Sequence, residues 1–210
     1  MDRATDVLEF WFGPAYGSTP FDATRIKERS TFWFGGDGAA AAAARDAAIA
    51  ARLEPLLERA ASGALTNWAA SPKRRLALII LFDQVPRNAY RGTAAAFAFD
   101  NQALALTVEG MQLAADAALD PLERLFFYLP LEHAESIEAQ DAAVIAMDRL
   151  TAEAPPELRE FCAYSAEYAR RHRDIVAKFG RFPHRNAVLG RDSTPAEREW
   201  LSASDERFGQ

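Results

Sequence analysis

Cysteine is nearly absent from this chain of 210 residues. Cys162 stands alone, so no intramolecular disulfide can form, and a reducing compartment fits. Lysine is scarce as well: Lys27, Lys73 and Lys178 are the only three among 24 cationic residues, and the rest are arginine. That bias accompanies an abundance of alanine, as GC-rich codons would give. The net charge of −6 argues against the broad basic face that nucleic acids or anionic membranes require, so neither is expected as a partner, while a local basic pocket stays compatible with it. Long apolar runs are missing too. The longest uncharged one, Leu76 to Phe82, is far short of a membrane span. The first residues, MDRATDVLEFWF, lack a basic segment followed by an apolar one, so no signal peptide is read and a soluble cytoplasmic protein is expected. No Cys-x-x-Cys and no G-x-S-x-G elbow occurs. Only three histidines exist, and Glu132-His133-Ala134-Glu135 lacks the two-His spacing of a zinc protease. No metal and no cofactor is therefore implied.

Sustained period-two alternation is also missing, and what replaces it is helical punctuation. Thr5 to Phe12 is a short buried helix stopped by Gly13-Pro14. Phe21 to Phe34 is a second, starting at Asp22 and ending at Gly35-Gly36. Phe10-Trp11-Phe12-Gly13 recurs as Phe32-Trp33-Phe34-Gly35. The pair reads as two aromatic helix ends that supply core, in preference to a ligand platform. Asp37 reads as the N-cap of an alanine-rich helix, Ala39 to Ser62, kinked or broken at Pro55. Trp68 sits in a connector. Ser71-Pro72 opens a helix that is apolar all round from Leu76 to Phe82, the mark of a central helix, with Val85-Pro86 breaking or kinking it.

Helix resumes over Thr93 to Thr107, with Gly110 as terminator. Asp120-Pro121-Leu122-Glu123 is a capping box opening Pro121 to Leu129, interrupted by Pro130. Ser136 caps a helix to about Leu150. Pro155-Pro156 precedes Glu157 to Phe179, which Gly180 closes, and Thr194-Pro195-Ala196-Glu197 opens the last helix. The expectation is an all-α single domain over residues 1–210, of about eight to ten helices packed as hairpins. A stack like tetratricopeptide proteins is plausible, though no clean repeat of about 34 residues appears.

Polar residues gather at three helix breaks. Leu76 to Gly92 ends in Asp83-Gln84-Val85-Pro86-Arg87-Asn88, followed by Arg91. Gly180 to Arg191 echoes it, each stretch placing a proline shortly before an Arg-Asn pair, and supplies Arg181, His184, Arg185, Asn186 and Arg191. Glu132, His133 and Glu135 follow Pro130. If the three segments meet, they form one polar site. Asp83 and Arg87 stand at i and i+4 and can pair if the turn is helical. Arg offers a planar fork of donors suited to carboxylate or phosphate, and Asn adds both donor and acceptor. Three readings follow. The first is a binding module for a small anion or a peptide carboxylate. The second is an enzyme, such as a hydrolase, with His133 or His184 as acid or base. The third is a purely structural ion-pair network neutralised by Asp83, Glu132 and Glu135. His172, within Arg170-Arg171-His172-Arg173, reads as a solvated helix face, and Cys162 as core. Oligomeric state is not legible.

Residues 81–92 (LFDQVPRNAYRG), 128–133 (YLPLEH) and 179–186 (FGRFPHRN) resemble the signature segments of the bacterial family catalogued as domain of unknown function 924. Val7 to Gly13 resembles its opening, so the likeness spans nearly the whole chain. It implies an all-α fold grouped with tetratricopeptide-like proteins, and brings no catalytic residues to carry over. Val85 departs from a family phenylalanine, which should alter packing and leave the polar chemistry intact.

Overall fold

The computed structural model describes residues 3–18 and 21–203, and among these every regular element is helical. The α-helices are α1 (Ala4–Phe12), α2 (Ala23–Phe34), α3 (Ala39–Ala61), α4 (Pro72–Ile79), α5 (Val85–Ala89), α6 (Asp100–Gln112), α7 (Pro121–His133), α8 (Ile137–Glu153), α9 (Pro156–Phe179) and α10 (Pro195–Ala203). A π turn, Ile80–Gln84, joins α4 to α5, so these two run as one rod. Short 3-10 turns at Thr66–Ala70, Ala94–Phe97, Asp116–Ala118 and Pro183–Arg185 fill connections.

The rod is central because its side chains allow nothing else. From Leu76 to Leu81 no residue exceeds 3% exposure. A helix with no polar face must be covered on all sides. Helices α1, α6 and α7 cover α4, while α3 lies along α5. Downstream, α8 packs along both α7 and α9. Full burial of each Leu or Ile stabilises the fold by about 1.5–3 kcal/mol, so this rod anchors the rest.

The punctuation expected from sequence holds where a local hydrogen bond decides it. Asp22 accepts from the Arg25 N–H at 2.9 Å, and Ser136 from the Ala139 N–H at 3.3 Å. Glu123 closes back on the Asp120 N–H at 2.8 Å, and Glu197 on the Thr194 N–H at 2.7 Å. Gly180 closes α9 in the left-handed conformation.

Expected breaks at Pro130 and Gly110 are corrected, and the kinks or breaks expected at Pro55 and Val85-Pro86 are not breaks. Pro55 and Pro130 lie inside continuous helices. Val85-Pro86 does not end the central helix either. In an α-helix the proline ring collides with the carbonyl four residues back. Here the turn just before it is wide, with the Val85 N–H reaching Ile80 O five residues back, and the chain passes Pro86 without stopping. Gly110 does not terminate α6 but sits within it. A Cβ there would lie 2.5 Å from Phe127 Cζ and 2.7 Å from Arg75 Cδ, so the glycine is a contact point between helices. The helix expected over Thr93 to Thr107 is divided into a 3-10 turn and α6. Asp37 is no N-cap: it holds Arg45 at 2.9 Å, and Gly38 takes the cap position.

Candidate functional site

The π turn aims Asp83 into the body of the protein. Its side chain is 1% exposed and is held by polar partners. His133 Nδ1, from the end of α7, lies 2.7 Å from Oδ1. Gln84 Nε2 donates to Oδ2 at 2.6 Å. Arg87 Nη1 lies 3.2 Å from Oδ1 and donates to the Asp83 backbone carbonyl at 2.8 Å. The i, i+4 pair expected from sequence therefore forms in spite of Pro86. Asn88 Nδ2 donates to Gln84 O at 2.8 Å. Two carbonyls of the distorted turn thus take side-chain donors from the Arg-Asn pair that follows it.

Arg87 then closes a two-pronged bond with Asp100, Nη1 to Oδ1 at 2.8 Å and Nη2 to Oδ2 at 2.9 Å. Arg185 reaches the same place from the second polar stretch. Its Nη1 donates to His133 O at 3.0 Å and lies 3.4 Å from Asp100 Oδ2. Its guanidinium is sandwiched between rings, 4.6 Å from the centroid of Phe97 and 4.4 Å from that of Phe182. All three polar segments meet around Asp83, Asp100 and His133.

Electrostatics divides the groups by protonation. Burial alone would raise the Asp83 pKa, but Arg87 and His133 outweigh it and hold this carboxylate well below its ordinary range. Burial and the neighbouring Arg87 lower His133 against the pull of Asp83, so the imidazole is neutral at pH 7. With Asp83 ionised, the Nδ1 proton points at its carboxylate. Glu132 behaves in the opposite way. Burial, helped by Asp83, pushes it up to about 8, so it is largely protonated at neutral pH. It lies 3.1 Å from His172 Nδ1. His172 is 4% exposed and donates toward Tyr168 O at 2.9 Å, which corrects its reading as a solvated residue. Burial keeps it neutral, well below its usual pKa.

Not every candidate joins the cluster. Arg91 reaches out to Asp46, at 2.8 Å. Arg181 forms a two-pronged bond with Glu197, at 2.7 and 2.9 Å. Arg191 binds Glu135 in the same way, at 2.6 and 2.9 Å, and donates to Asn186 Oδ1 at 3.0 Å. Asn186 Nδ2 donates on to Ser193 Oγ at 3.1 Å. These contacts fold the loop after α9 onto the end of α7, and the Phe182 N–H donates to Glu135 Oε1 at 2.8 Å. His184 lies tilted against Phe182, with ring centroids 5.5 Å apart.

Two members of the cluster escaped sequence reasoning. Asp100 is a lone charge after the Ala/Phe-rich run 94–99, which is its only signal. His172 carried a better one. It falls in the helical stripe Leu158, Cys162, Ser165, Ala166, Ala169, His172, Val176, all buried. Cys162 is core as expected, its thiol pushed up to about 11 by burial. Among the described residues no group of three or more potential metal ligands assembles, and no helix is long and apolar enough to cross a membrane.

The arrangement is a buried network of ion pairs and hydrogen bonds, and comparison with known proteins assigns it no activity. No curated protein matches the chain. A solved structure of a protein of unknown function, ATU0120 from Agrobacterium tumefaciens, is similar at 35% identity and a TM-score of 0.76, covering 96% of this chain and 97% of that one. The three polar segments that meet here all fall within the stretch matched by one family model, residues 7–205, and the chain belongs to that family, described as bacterial protein of unknown function (DUF924).

Proposed function

We propose that the protein is a binding module, its hairpins stacked in a tetratricopeptide-like way, and that Arg185 receives a small anion or a peptide carboxylate. One observation carries this reading. Both hydrogen bonds of Arg185 leave from Nη1, while Nε is buried and meets no acceptor among the described residues. Asp100 is already held by both prongs of Arg87. Burial and the charge of Arg87 lower the Arg185 pKa to about 10, so its cation is held at a cost. A carboxylate on the unused edge of the fork would relieve both deficits. The test is thermal stabilisation by small carboxylates and by phosphate. At ten to thirty times Kd an anion should add about 1.4–2 kcal/mol to stability, and Arg185→Ala should abolish that gain. No stabilisation by any anion would refute the site.

A second reading rests on a separate contact, Asp83 to His133. A buried carboxylate, kept ionised, orients a neutral imidazole whose side chain is 16% exposed against 1% for the aspartate. Such a pair suits general-base hydrolysis. His133 Nε2 would take a proton from the attacking water as its oxygen bonds the substrate carbonyl. It would return that proton to the leaving group when the tetrahedral intermediate collapses. His133 is the better base of the two candidate histidines because only it has this carboxylate. Screening ester and amide hydrolysis with wild type, His133→Ala and His184→Ala tests the assignment. Activity lost only in His133→Ala supports it, and activity surviving that change removes it.

A further inference from the structure

A cleft of about 630 Å³, which shares no lining residue with the Arg185 cluster, lies between α1, α2 and α3. That size falls in the range of small-molecule sites, roughly 300–1,000 Å³. Its apolar wall is Phe10 and Phe32, which meet edge to face at 5.7 Å. Both belong to the duplicated Phe-Trp-Phe-Gly segments. The two tryptophans and Phe12 of those segments are core, but these two rings are only half-buried. The opposite wall is α3, where Ala48 and Ala51 are too small to fill the space.

Charges of both signs line this cleft. Asp6 and Glu9 stand one turn apart on α1, and Arg52 on α3. None of these three side chains has an ion-pair partner among the described residues. Arg29 is different. Its Nη2 is fixed by the last carbonyls of α1, Phe10 O at 2.8 Å and Trp11 O at 2.6 Å. Its guanidinium carbon lies 3.8 Å over the Phe32 ring. Its Nε is buried and meets no acceptor among the described residues. A rigidly held guanidinium with a donor to spare, an unpaired second arginine, two unpaired carboxylates and two aromatic rings share one hollow.

We infer that this cleft binds a small zwitterion with an apolar body, an amino acid or dipeptide, its ammonium on Asp6 and Glu9 and its carboxylate on Arg29 and Arg52. The rings take the side chain, and a cation near a ring face gains further from the aromatic quadrupole. Neither a simple anion nor a simple amine uses both halves. The site stands independently of the Arg185 reading, since the two share no residue.

Calorimetric titration of the full chain tests it, with L-phenylalanine and L-leucyl-L-phenylalanine as zwitterions. The one-ended probes are 3-phenylpropionate, without the amine, and phenethylamine, without the carboxylate. Saturable binding of a zwitterion is expected, with both one-ended probes weaker by about threefold or more. Glu9→Gln and Arg52→Ala, both at exposed positions, should each weaken the zwitterion by a similar factor. Arg185→Ala should leave it unchanged. The inference is overturned if neither zwitterion saturates below about 10 mM. It is equally overturned if a one-ended probe binds as tightly, or if both cleft variants bind like wild type.

Discussion

Two stretches of this chain put a proline shortly before an Arg-Asn pair, and they use it in opposite ways. In the first, Pro86-Arg87-Asn88 repairs its own helix. Arg87 and Asn88 donate to the carbonyls of Asp83 and Gln84, and the rest of Arg87 is consumed by Asp100. In the second, Pro183–Arg185 is a 3-10 turn, too short to leave such carbonyls for Arg185. That arginine crosses to another helix, stacks between two rings and leaves Nε without an acceptor. Like sequence therefore marks a fully paired arginine in one place and, in the other, an arginine whose Nε meets no acceptor among the described residues. The backbone around each pair decides which. A π turn creates local acceptors, and a short 3-10 turn does not.

The sharpest way to break this contrast is to remove the pin. Arg87→Ala leaves Asp83 and Asp100 short of their main cation, a loss of about 3–5 kcal/mol for a buried pair. For a chain of this size the melting temperature should drop on the order of 10 °C. An unchanged melting temperature would put Arg87 in the same class as Arg185. The counterpart, Arg185→Met, should shift stability by about 1 kcal/mol or less, because it replaces a costly buried cation with an apolar chain of similar reach. A loss as large as that of Arg87→Ala, read by urea unfolding, would make both arginines pins.

The protonated Glu132 under the same cluster offers a pH test. Its folded pKa, about 8, lies above its unfolded value near 4.5. The folded state therefore binds more protons between these values, and stability falls as pH rises through that window. Asp83 has the opposite sign: its folded pKa is depressed, so its contribution is present above about pH 4 and is lost on acidification. Glu132→Gln should flatten the decline between pH 5 and pH 8 in urea titrations while leaving the loss below pH 4. A decline as steep in the variant would mean that Glu132 is already ionised. The smallest effect compares the two asparagines. Asn88→Ala removes the buried donor to Gln84 O and should cost about 1–2 kcal/mol. Asn186→Ala loosens a loop that the Arg191–Glu135 bond still holds, and thermal unfolding should show a smaller loss.

How much of this was legible in the sequence depended on the range of the interaction. Caps at Asp22, Ser136 and Thr194 were readable because donor and acceptor lie within one turn. Pro130 was misread as an interruption, and at Pro55 and Pro86, where a kink or a break was expected, the helix does not break. A proline states only what it lacks, an N–H, and whether the helix survives depends on burial and on distortion in the turn before it. Gly110 was misread for a related reason, since its cause is Phe127 and Arg75 on other helices. His172 looked solvated because Arg170, Arg171 and Arg173 surround it in sequence, yet these point outward from the helix while His172 faces inward.

The sequence by itself determined an all-helical body, because apolar period, caps and glycine stops are local. It also determined that a wholly apolar helix must lie at the centre and that polar residues gather in three proline-containing segments, two of them rich in arginine. Only the tertiary structure decided which arginine was satisfied. That depends on where Asp100, His133, Phe97 and Phe182 arrive in space, and partners drawn from elements scattered along the chain leave no mark in the residues next to either arginine.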